Sequence, residues 1–457
     1  VIAHVDHGKT TMSDSLLAAS GLLSPTVAGE ALALDYLKIE QERQFTYKAA
    51  NVSLYHEFND KPYLVNLIDT PGHIDFTGNV TRSLRAIDGA VVVVDSVEEV
   101  MVQTETVTRQ ALEEYVRPVL FINKIDRLIK ELRMTAPEIE QKIVNIIRDF
   151  NKLIELYAPE KFKEEWRVDA FKGSVALGSA KDRWGITLDI AAKRGLKFAD
   201  IVTSYEHNEQ ENLAKIFPVN EAVLNMVVQH FPSPLAAQIY RVPHLWHGDI
   251  DSDIGKAMIN CDPNGPVVLV ASHMRVDPNA GVVATGRLFS GTAYSGQEVF
   301  LINAQTKSRI QQVGLYMGPF REVVGSLPSG NIPALLGVQD ARAGETITTV
   351  EGLSPFESIH YVSEPVMTIA IEPKHPRDLP QLVDVMKRLS IEDPNMKVHI
   401  DEQTGEYLLS GMGQLHLEVA MTFMKEAGLD VVSSNPVIIY RESIMDRGGP
   451  IVVRSPN

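Results

Sequence analysis

Short runs of apolar, β-branched residues alternate here with amphipathic stretches, and this alternation constrains the fold more than any other feature of the chain. Tyr63-Leu64-Val65-Asn66-Leu67-Ile68, Ala90-Val91-Val92-Val93-Val94 and Val119-Leu120-Phe121-Ile122 have the length and character of strands. Between the second and third, Gln103 to Tyr115 is charged on one side and apolar on the other. That order predicts a parallel sheet with crossover helices from Val1 to about Tyr240. Continuous apolar strands suit a sheet covered on both faces. Ligands of doubly wound sheets bind at the carboxyl ends of the strands, so chemistry is expected in the residues that follow each run.

Four motifs occupy such positions. Ala3-His4-Val5-Asp6-His7-Gly8-Lys9-Thr10 precedes a helix from Met12 to Ser20 and fits a phosphate-binding loop, with Ala in place of the usual first Gly. Backbone N–H groups would curl around phosphates, and the helix N-terminus adds positive potential. Lys9 supplies a point charge to the β- and γ-phosphates, and Thr10 a hydroxyl to Mg²⁺. Asp69-Thr70-Pro71-Gly72-His73 follows Ile68; Asp69 can hold Mg²⁺ through water, and Gly72 lets its N–H come close to a γ-phosphate. Asn123-Lys124-Ile125-Asp126 follows Ile122. Asp126 can accept from both N1–H and the exocyclic amine of guanine, a donor pair that adenine lacks, and Lys124 can lay its stem on the base. Ser179-Ala180-Lys181, after Val175 to Leu177, can offer a backbone N–H to guanine O6.

Taken singly, Gly-Lys-Thr can be a chance helix start and Asp-Thr-Pro-Gly an ordinary turn. Four motifs in this order predict one pocket for GTP rather than ATP. A residue that orients the attacking water is also needed, a role filled by Gln in Ras-like proteins. His73 stands directly after Asp-Thr-Pro-Gly and is the expected catalytic group.

The rest of the chain changes texture twice. Residues 245–360 carry short apolar runs between turn signals: Asp262-Pro263-Asn264-Gly265, Asp277-Pro278-Asn279-Ala280-Gly281, Ser295-Gly296 and Pro328-Ser329-Gly330. They predict an all-β barrel. Residues 361–440 predict a ferredoxin-like βαββαβ unit. Its strands are Val366 to Ile371, the hairpin Val398 to Asp401 and Glu406 to Leu409 across Gln403-Thr404-Gly405, and Leu429 to Val432. Its helices are Pro376 to Ser390 and Gly413 to Ala427, with Gly428 placed to cap the second. A length of 457 residues, 44% hydrophobic, exceeds one core and fits about three domains, residues 1–244 being the nucleotide domain. One Cys excludes a disulfide framework and a cysteine zinc site. A net charge of −16 argues against a protein that coats nucleic acid. No apolar run approaches the roughly 18 residues of a membrane helix, so a cytoplasmic protein with no membrane partner is expected. Opening at Val1 inside an apolar run and stopping just after a Pro, both ends read as cuts.

On these motifs the chain resembles the translational GTPases, and within them the archaeal and eukaryotic elongation factor 2 family. The likeness continues through His73-Ile74-Asp75-Phe76, Arg82-Ser83-Leu84-Arg85-Ala86, Asp88-Gly89, His230-Phe231-Pro232-Ser233-Pro234, Glu372-Pro373-Lys374 and Ser410-Gly411-Met412-Gly413-Gln414-Leu415-His416-Leu417-Glu418. Thr70 stands where elongation factor Tu usually has Cys, and His7-Gly8 where bacterial elongation factor G usually has Ala-Gly. The absence of long insertions after Trp184 is closer to the archaeal branch. The resemblance implies ribosome-dependent hydrolysis of GTP to GDP, with Mg²⁺, driving tRNA and mRNA movement. It implies that a loop of the large ribosomal RNA engages His73, that stalk proteins are partners, that tRNA and mRNA are met indirectly, and that the protein is a monomer off the ribosome. It also implies a fourth domain bearing a modified His (diphthamide) and a fifth. Tyr440-Arg441-Glu442-Ser443 is similar to the third-to-fourth junction, so 441–457 would begin domain four. A ribosome-biogenesis or recycling GTPase of similar build is the alternative.

One stretch departs from the family. Its first switch usually reads Arg-Gly-Ile-Thr-Ile; here it is Arg43-Gln44-Phe45-Thr46-Tyr47. Thr46, retained, is expected to reach Mg²⁺ and the γ-phosphate and so to act with His73 and Lys9. Gln44 lacks the freedom of Gly to take positive φ. Phe45 with Val5 would make a bulkier gate between His73 and the water.

Overall fold

The computed structural model describes residues 1–24, 32–277, 280–361, 363–400 and 406–438. Its first layer is built from seven strands: β1 (Ile2–Ala3), β2 (Ala50–Phe58), β3 (Lys61–Asp69), β4 (Gly89–Asp95), β5 (Arg117–Asn123), β6 (Val175–Ser179) and β7 (Trp184–Ile186). Five of them form a sheet in the order β1-β4-β5-β6-β7. The first four run parallel, and β7 returns antiparallel at the edge. Among the helices that accompany them are α1 (Lys9–Ala19), α2 (Lys38–Arg43), α3 (Thr77–Ala86), α4 (Val102–Glu113), α5 (Ile125–Lys130) and α6 (Ala136–Tyr157). Ala90 to Val94 and Val119 to Ile122 are buried throughout, as strands covered on both faces must be.

The run Tyr63 to Ile68 is a strand, but it does not take the expected place in the parallel ladder. Along its whole length β3 pairs antiparallel with β2. The turn is Asn59-Asp60, both left-handed (φ 50° and 58°), the geometry that matches strand twist in a two-residue hairpin. In β2, Val52 and Leu54 are buried while Ser53 and Tyr55 are not, an alternation less apolar than the continuous run of β4 and easy to pass over. The end of β3 meets β1 through the Val1 amino group on Ile68 O (2.8 Å) and Thr70 Oγ1 on Val1 O (2.7 Å). The motif after β3 therefore lies beside the loop after β1.

The texture read as all-β from Leu245 begins instead with a helix, Asp253–Ile259, whose first turn is capped by Ser252 Oγ accepting from Gly255 N (3.1 Å). Ser followed by Asp is a helix start signal. Strands begin at Val268. Eight of them make an antiparallel sheet in the spatial order Thr306–Arg309, Glu298–Leu301, Thr346–Thr348, Val268–Asp277, Gly281–Ser290, Ala334–Leu336, Gln312–Met317 and Phe320–Val324. They wrap a core that includes Leu269, Leu288, Val299, Val313, Leu335 and Ile347. The turn at Asp262–Gly265 is closed by Gly265 N on Asp262 O (3.3 Å). Residues 278 and 279 of the Asp277 turn lie outside the described residues. This β layer joins the first through paired, buried arginines. Arg287 forks onto Asp88 (2.9 and 3.1 Å), and Arg85 forks onto Glu114 (both 2.9 Å) while donating to Glu357 O (2.7 Å). A guanidinium stripped of water needs such partners.

The chain divides into two compact units, the second starting at Ser363. By itself, that unit is a sheet in the order Lys397–Ile400, Tyr407–Gly411, Met367–Pro373, Val431–Ser433, every neighbour antiparallel. With the helices Leu379–Glu392 and Gln414–Glu426 this is the βαββαβ order read from the sequence. Leu382, Met386 and Leu389 of the first helix and Leu417 and Met424 of the second share its core with Ile369, Ile371 and Leu409. The second helix ends in two bonds, Gly428 N to Lys425 O (2.9 Å) and Leu429 N to Met424 O (3.0 Å), the paired cap that a left-handed residue permits. Val437–Ile438 adds a short pairing to Met367-Thr368 that the sequence reading lacked. The hairpin turn Gln403-Thr404-Gly405 and residues 441–457, expected to start a further domain, lie outside the described residues. Among the described residues no helix is long and apolar enough to cross a membrane.

Candidate active site

The loop after β1 is bent by two left-handed residues, Asp6 (φ 59°) and Gly8 (φ 93°). A Cβ at Gly8 would run into the Asn123 side chain. Lys9 opens α1 and folds back over the loop, its Nζ donating to His4 O (2.8 Å) and Ala3 O (3.4 Å). Burial lowers the Lys9 ammonium to about 8, with Asp69 the chief opposing influence. His7 is fully buried between Val93 O and Asp95 N, and burial pulls it down to about 4, so the ring is neutral at pH 7. Gly72 lies directly on this loop. A side chain there would strike Lys9 Nζ and come within 3.0 Å of Val5 Cα and 3.1 Å of His4 O.

Asn123 ties the remaining loops together. Its Nδ2 donates to His7 O (2.8 Å), and its Oδ1 accepts from Ala180 N (2.9 Å). The four motifs thus converge at one edge of the sheet. Lys124 is left-handed (φ 62°), and its ammonium pairs with Asp95 (3.0 Å). Asp126 is half-buried and raised by desolvation, an effect the Ser179 hydroxyl opposes; among the described residues its Oδ1 has no partner. A cleft of about 540 Å³ is lined by Val5, Asp6, Lys9, Thr10, Asp35, Thr46, Gly72, His73 and Lys181. Asn123, Lys124, Ile125, Asp126 and Ser179 do not line it; of these, Asn123 is tied to the phosphate loop through His7 O.

At the cleft floor lies a cluster of oxygens. Thr10 Oγ1 and Thr46 Oγ1 are 3.0 Å apart, although they are far apart in sequence. Asp69 is completely buried, neither of its carboxylate oxygens has a hydrogen-bond partner among the described residues, and burial raises its pKa despite the Val1 amino group and Lys9. Asp35, not singled out from the sequence, is 2% exposed with Oδ1 unpartnered. Desolvation, then Asp69 and Glu40, push it up to about 8. Two crowded carboxylates with orphaned oxygens, beside two hydroxyls, are a poor arrangement by themselves and a good one around a hard cation.

The segment that carries Thr46 is held by carboxylates. Glu40 accepts from Leu37 N (2.9 Å), Tyr47 N (2.8 Å) and Lys48 N (3.0 Å), and Asp14 from Leu32 N (2.7 Å) and Ala33 N (2.9 Å). Arg275 of the β layer lies over both the Tyr36 and Tyr316 rings (4.9 and 4.4 Å). Asp35 interrupts the apolar run Ala31 to Leu37, and that lone acid is the signal that could have flagged it. Gln44 ends α2 with φ 55° and ψ 44°, so the backbone takes a left-handed path without a Gly. An L-residue there is strained by about 1–2 kcal/mol. Gln44→Gly should therefore raise the unfolding free energy by about 0.5–1 kcal/mol once its extra chain entropy is subtracted, whereas β-branched Gln44→Val should lower it; urea titration reads both.

His73 sits at the rim of the cleft, 35% exposed. Its Nδ1 accepts from Asp75 N (3.1 Å), which puts the proton of the neutral ring on Nε2. Phe76 packs beneath it (5.7 Å), and the same ring stacks on Phe45 (5.6 Å, 9° between planes) and meets Tyr47 edge-on (5.0 Å).

With this geometry in place, comparison with known proteins is informative. Residues 1–233 match the family model described as elongation factor Tu GTP binding domain, 281–348 that of elongation factor Tu domain 2, and 362–434 that of elongation factor G, domain III. The chain is 58% identical to proteins named elongation factor 2 from Staphylothermus marinus and Ignicoccus hospitalis, and 56% identical to one from Sulfurisphaera tokodaii. Each likeness covers all of this chain and 63% of the relative, so the chain spans under two thirds of the length of these proteins.

Proposed function

The chain belongs to the family of GTPases built on the elongation factor Tu GTP-binding domain, and we propose that it is the front part of a translation elongation factor that hydrolyses GTP on the ribosome to drive tRNA and mRNA movement. The observation that carries this reading is the meeting of Thr10 and Thr46 hydroxyls above the orphaned Asp69 carboxylate. A switch segment anchored to the phosphate loop in this way is what nucleotide-dependent ordering requires. The relatives are named as elongation factors, which favours this over a ribosome-biogenesis or recycling role.

In this reading Lys9 and the backbone N–H groups of residues 4–10 hold the phosphates, and Asp126 and the Ser179-Ala180-Lys181 loop hold the guanine. Thr10, Thr46, Asp69 and Asp35 present the oxygen set that would hold Mg²⁺, which takes few protein ligands besides phosphate. When bound, the ion supplies neutralisation of charge on the phosphate oxygens. His73 orients the water through Nε2, with Nδ1 fixed by Asp75. The ribosome, through a large-subunit RNA loop and its stalk proteins, is the partner that brings His73 into place. The protein works in the cytoplasm as a monomer between ribosome encounters. The residue ranges 1–244, 245–360 and 361–440 are its nucleotide, barrel and ferredoxin-like domains. GTP turnover by the full-length protein with and without ribosomes tests the proposal. Stimulation of several orders of magnitude is expected, and an unstimulated rate at saturating ribosomes would sink it.

Phe45 adds a gate. Stacked on Phe76, which also packs against His73, and lining the same cleft as Val5, its ring narrows the way to the water. Phe45→Ile should raise basal turnover by about three- to tenfold, on the order of 1 kcal/mol, and leave the stimulated rate within about twofold. An unchanged basal rate removes the gate.

A further inference from the structure

Behind the base-reading loop, three side chains form a hydrogen-bonded relay. Trp184 Nε1 donates to Tyr205 Oη (2.7 Å), and Tyr205 Oη donates to Asp182 Oδ2 (2.6 Å). An indole N–H can only donate and a carboxylate can only accept, so the direction of the relay is fixed. Trp184 is fully buried and Tyr205 is 5% exposed. Burial, reinforced by Asp182, drives the Tyr205 hydroxyl far above its ordinary pKa, and it remains a donor at any working pH.

Asp182 is where the relay reaches the loop. Its backbone N–H donates to Ser179 Oγ (3.1 Å), closing the turn that contains Ala180 and Lys181. The same Ser179 hydroxyl favours the charged form of Asp126. On its other side, the Asp182 carboxylate pairs with Lys130 (3.6 Å), the last residue of α5, whose ammonium lies over the Tyr205 ring (4.9 Å). One tyrosine, delivered by the helix Phe198–Glu206, therefore grips the loop Ser179-Ala180-Lys181 and the far end of the helix that opens at Ile125-Asp126. Asn123 holds the loop through Ala180 N; Asp182 secures its exit.

We infer that Tyr205 is a positioning residue for recognition of the guanine 6-oxo group, acting through Asp182 on the loop Ser179-Ala180-Lys181 assigned to that oxygen. The inference rests on the guanine-nucleotide reading above. A backbone donor contributes to base choice only when the loop is held in place before the base arrives. Tyr205 touches no nucleotide in this scheme; its hydroxyl fixes the carboxylate that fixes the turn.

Base analogues separate this role from simple support of the fold. 6-Thio-GDP replaces the 6-oxo group and keeps N1–H and the amine, while IDP keeps the 6-oxo group and lacks the amine that Asp126 reads. Competition of GDP, 6-thio-GDP and IDP against a fluorescent GDP gives two ratios for the full chain. In Tyr205→Phe the GDP dissociation constant should rise about tenfold. The preference for GDP over 6-thio-GDP should collapse toward unity, and the preference over IDP should stay within about twofold. Asp182→Ala cuts the same relay at a more exposed residue and should give the same result, which keeps the test available if Tyr205→Phe does not fold. Folded variants that retain the wild-type 6-thio-GDP ratio overturn the inference, as does an equal fall in both ratios, which would mark general loosening. If the unaltered protein fails to distinguish GDP from IDP, the guanine reading itself fails, independently of Tyr205.

Discussion

Asp126→Asn should turn a GTP-binding protein into one that prefers xanthosine triphosphate. Asp126 is a half-buried carboxylate whose Oδ1 has no partner among the described residues, an arrangement that wants donors. Guanine supplies two, N1–H and the 2-amino group. An amide of the same shape accepts at one atom and donates at the other, so against guanine its NH₂ faces the 2-amino group, donor to donor. Xanthine carries an oxygen at that position and restores the match. Sites built to bond a polar substrate group reject the wrong partner by about 10⁴–10⁵. A loss of GDP affinity on the order of 10³ or more is therefore expected, with xanthosine diphosphate gaining in turn. Competition binding of both nucleotides to the variant measures the switch. GDP affinity retained within about threefold would take Asp126 out of the base site and leave the convergence of loops without its specificity element.

The parts of this site that were legible in the sequence are those in which local spacing and chemistry coincide. Lys9-Thr10, Asp69 to His73 and Asn123 to Asp126 each follow an apolar run, and the sheet carries each to the same edge because its strands are parallel. Gln44 was legible as a conformational problem, and the backbone answers it by going left-handed without a glycine. What remained hidden depends on contacts across long sequence separations. Glu40 and Asp14 look like surface acids of helical stretches, yet each binds backbone N–H groups: Glu40 those of Tyr47 and Lys48 beside Thr46, and Asp14 those of Leu32 and Ala33. Asp35 becomes informative only when Asp69 and Thr46 stand beside it, because burial of two acids together is what marks an ion site. The β2–β3 hairpin was obscured because the alternating β2 looks like an ordinary polar stretch, and because the β3 run resembles a buried parallel strand. Asn59-Asp60, the residues that dictate the hairpin, sit between them.

His73→Ala should leave nucleotide binding intact and remove most of the ribosome-stimulated turnover. The side chain is at the rim of the cleft rather than among the groups that fold over the phosphates; Lys9, Gly72 and the Thr10–Thr46 pair stand apart from its ring contacts, which are with Phe76 and Asp75. GDP and GTP dissociation constants should therefore change by no more than about twofold. The rate is another matter. Water-positioning and arginine-finger groups, together with their activators, supply about 10³–10⁵ in related phosphoryl-transfer machines, or about 4–7 kcal/mol at 1.36 kcal/mol per tenfold. A loss confined to turnover, with affinity preserved, is the signature of an interaction made only in the transition state. His73→Gln sharpens the test, because Gln performs the same orientation in Ras-like proteins and should recover part of the rate that Ala does not. Single-turnover hydrolysis at saturating ribosomes separates the chemical step from ribosome binding. If His73→Ala keeps the stimulated rate within tenfold, Nε2 is not the atom that orients the water, and the bond from Asp75 N to Nδ1 would merely cap the short helix that follows.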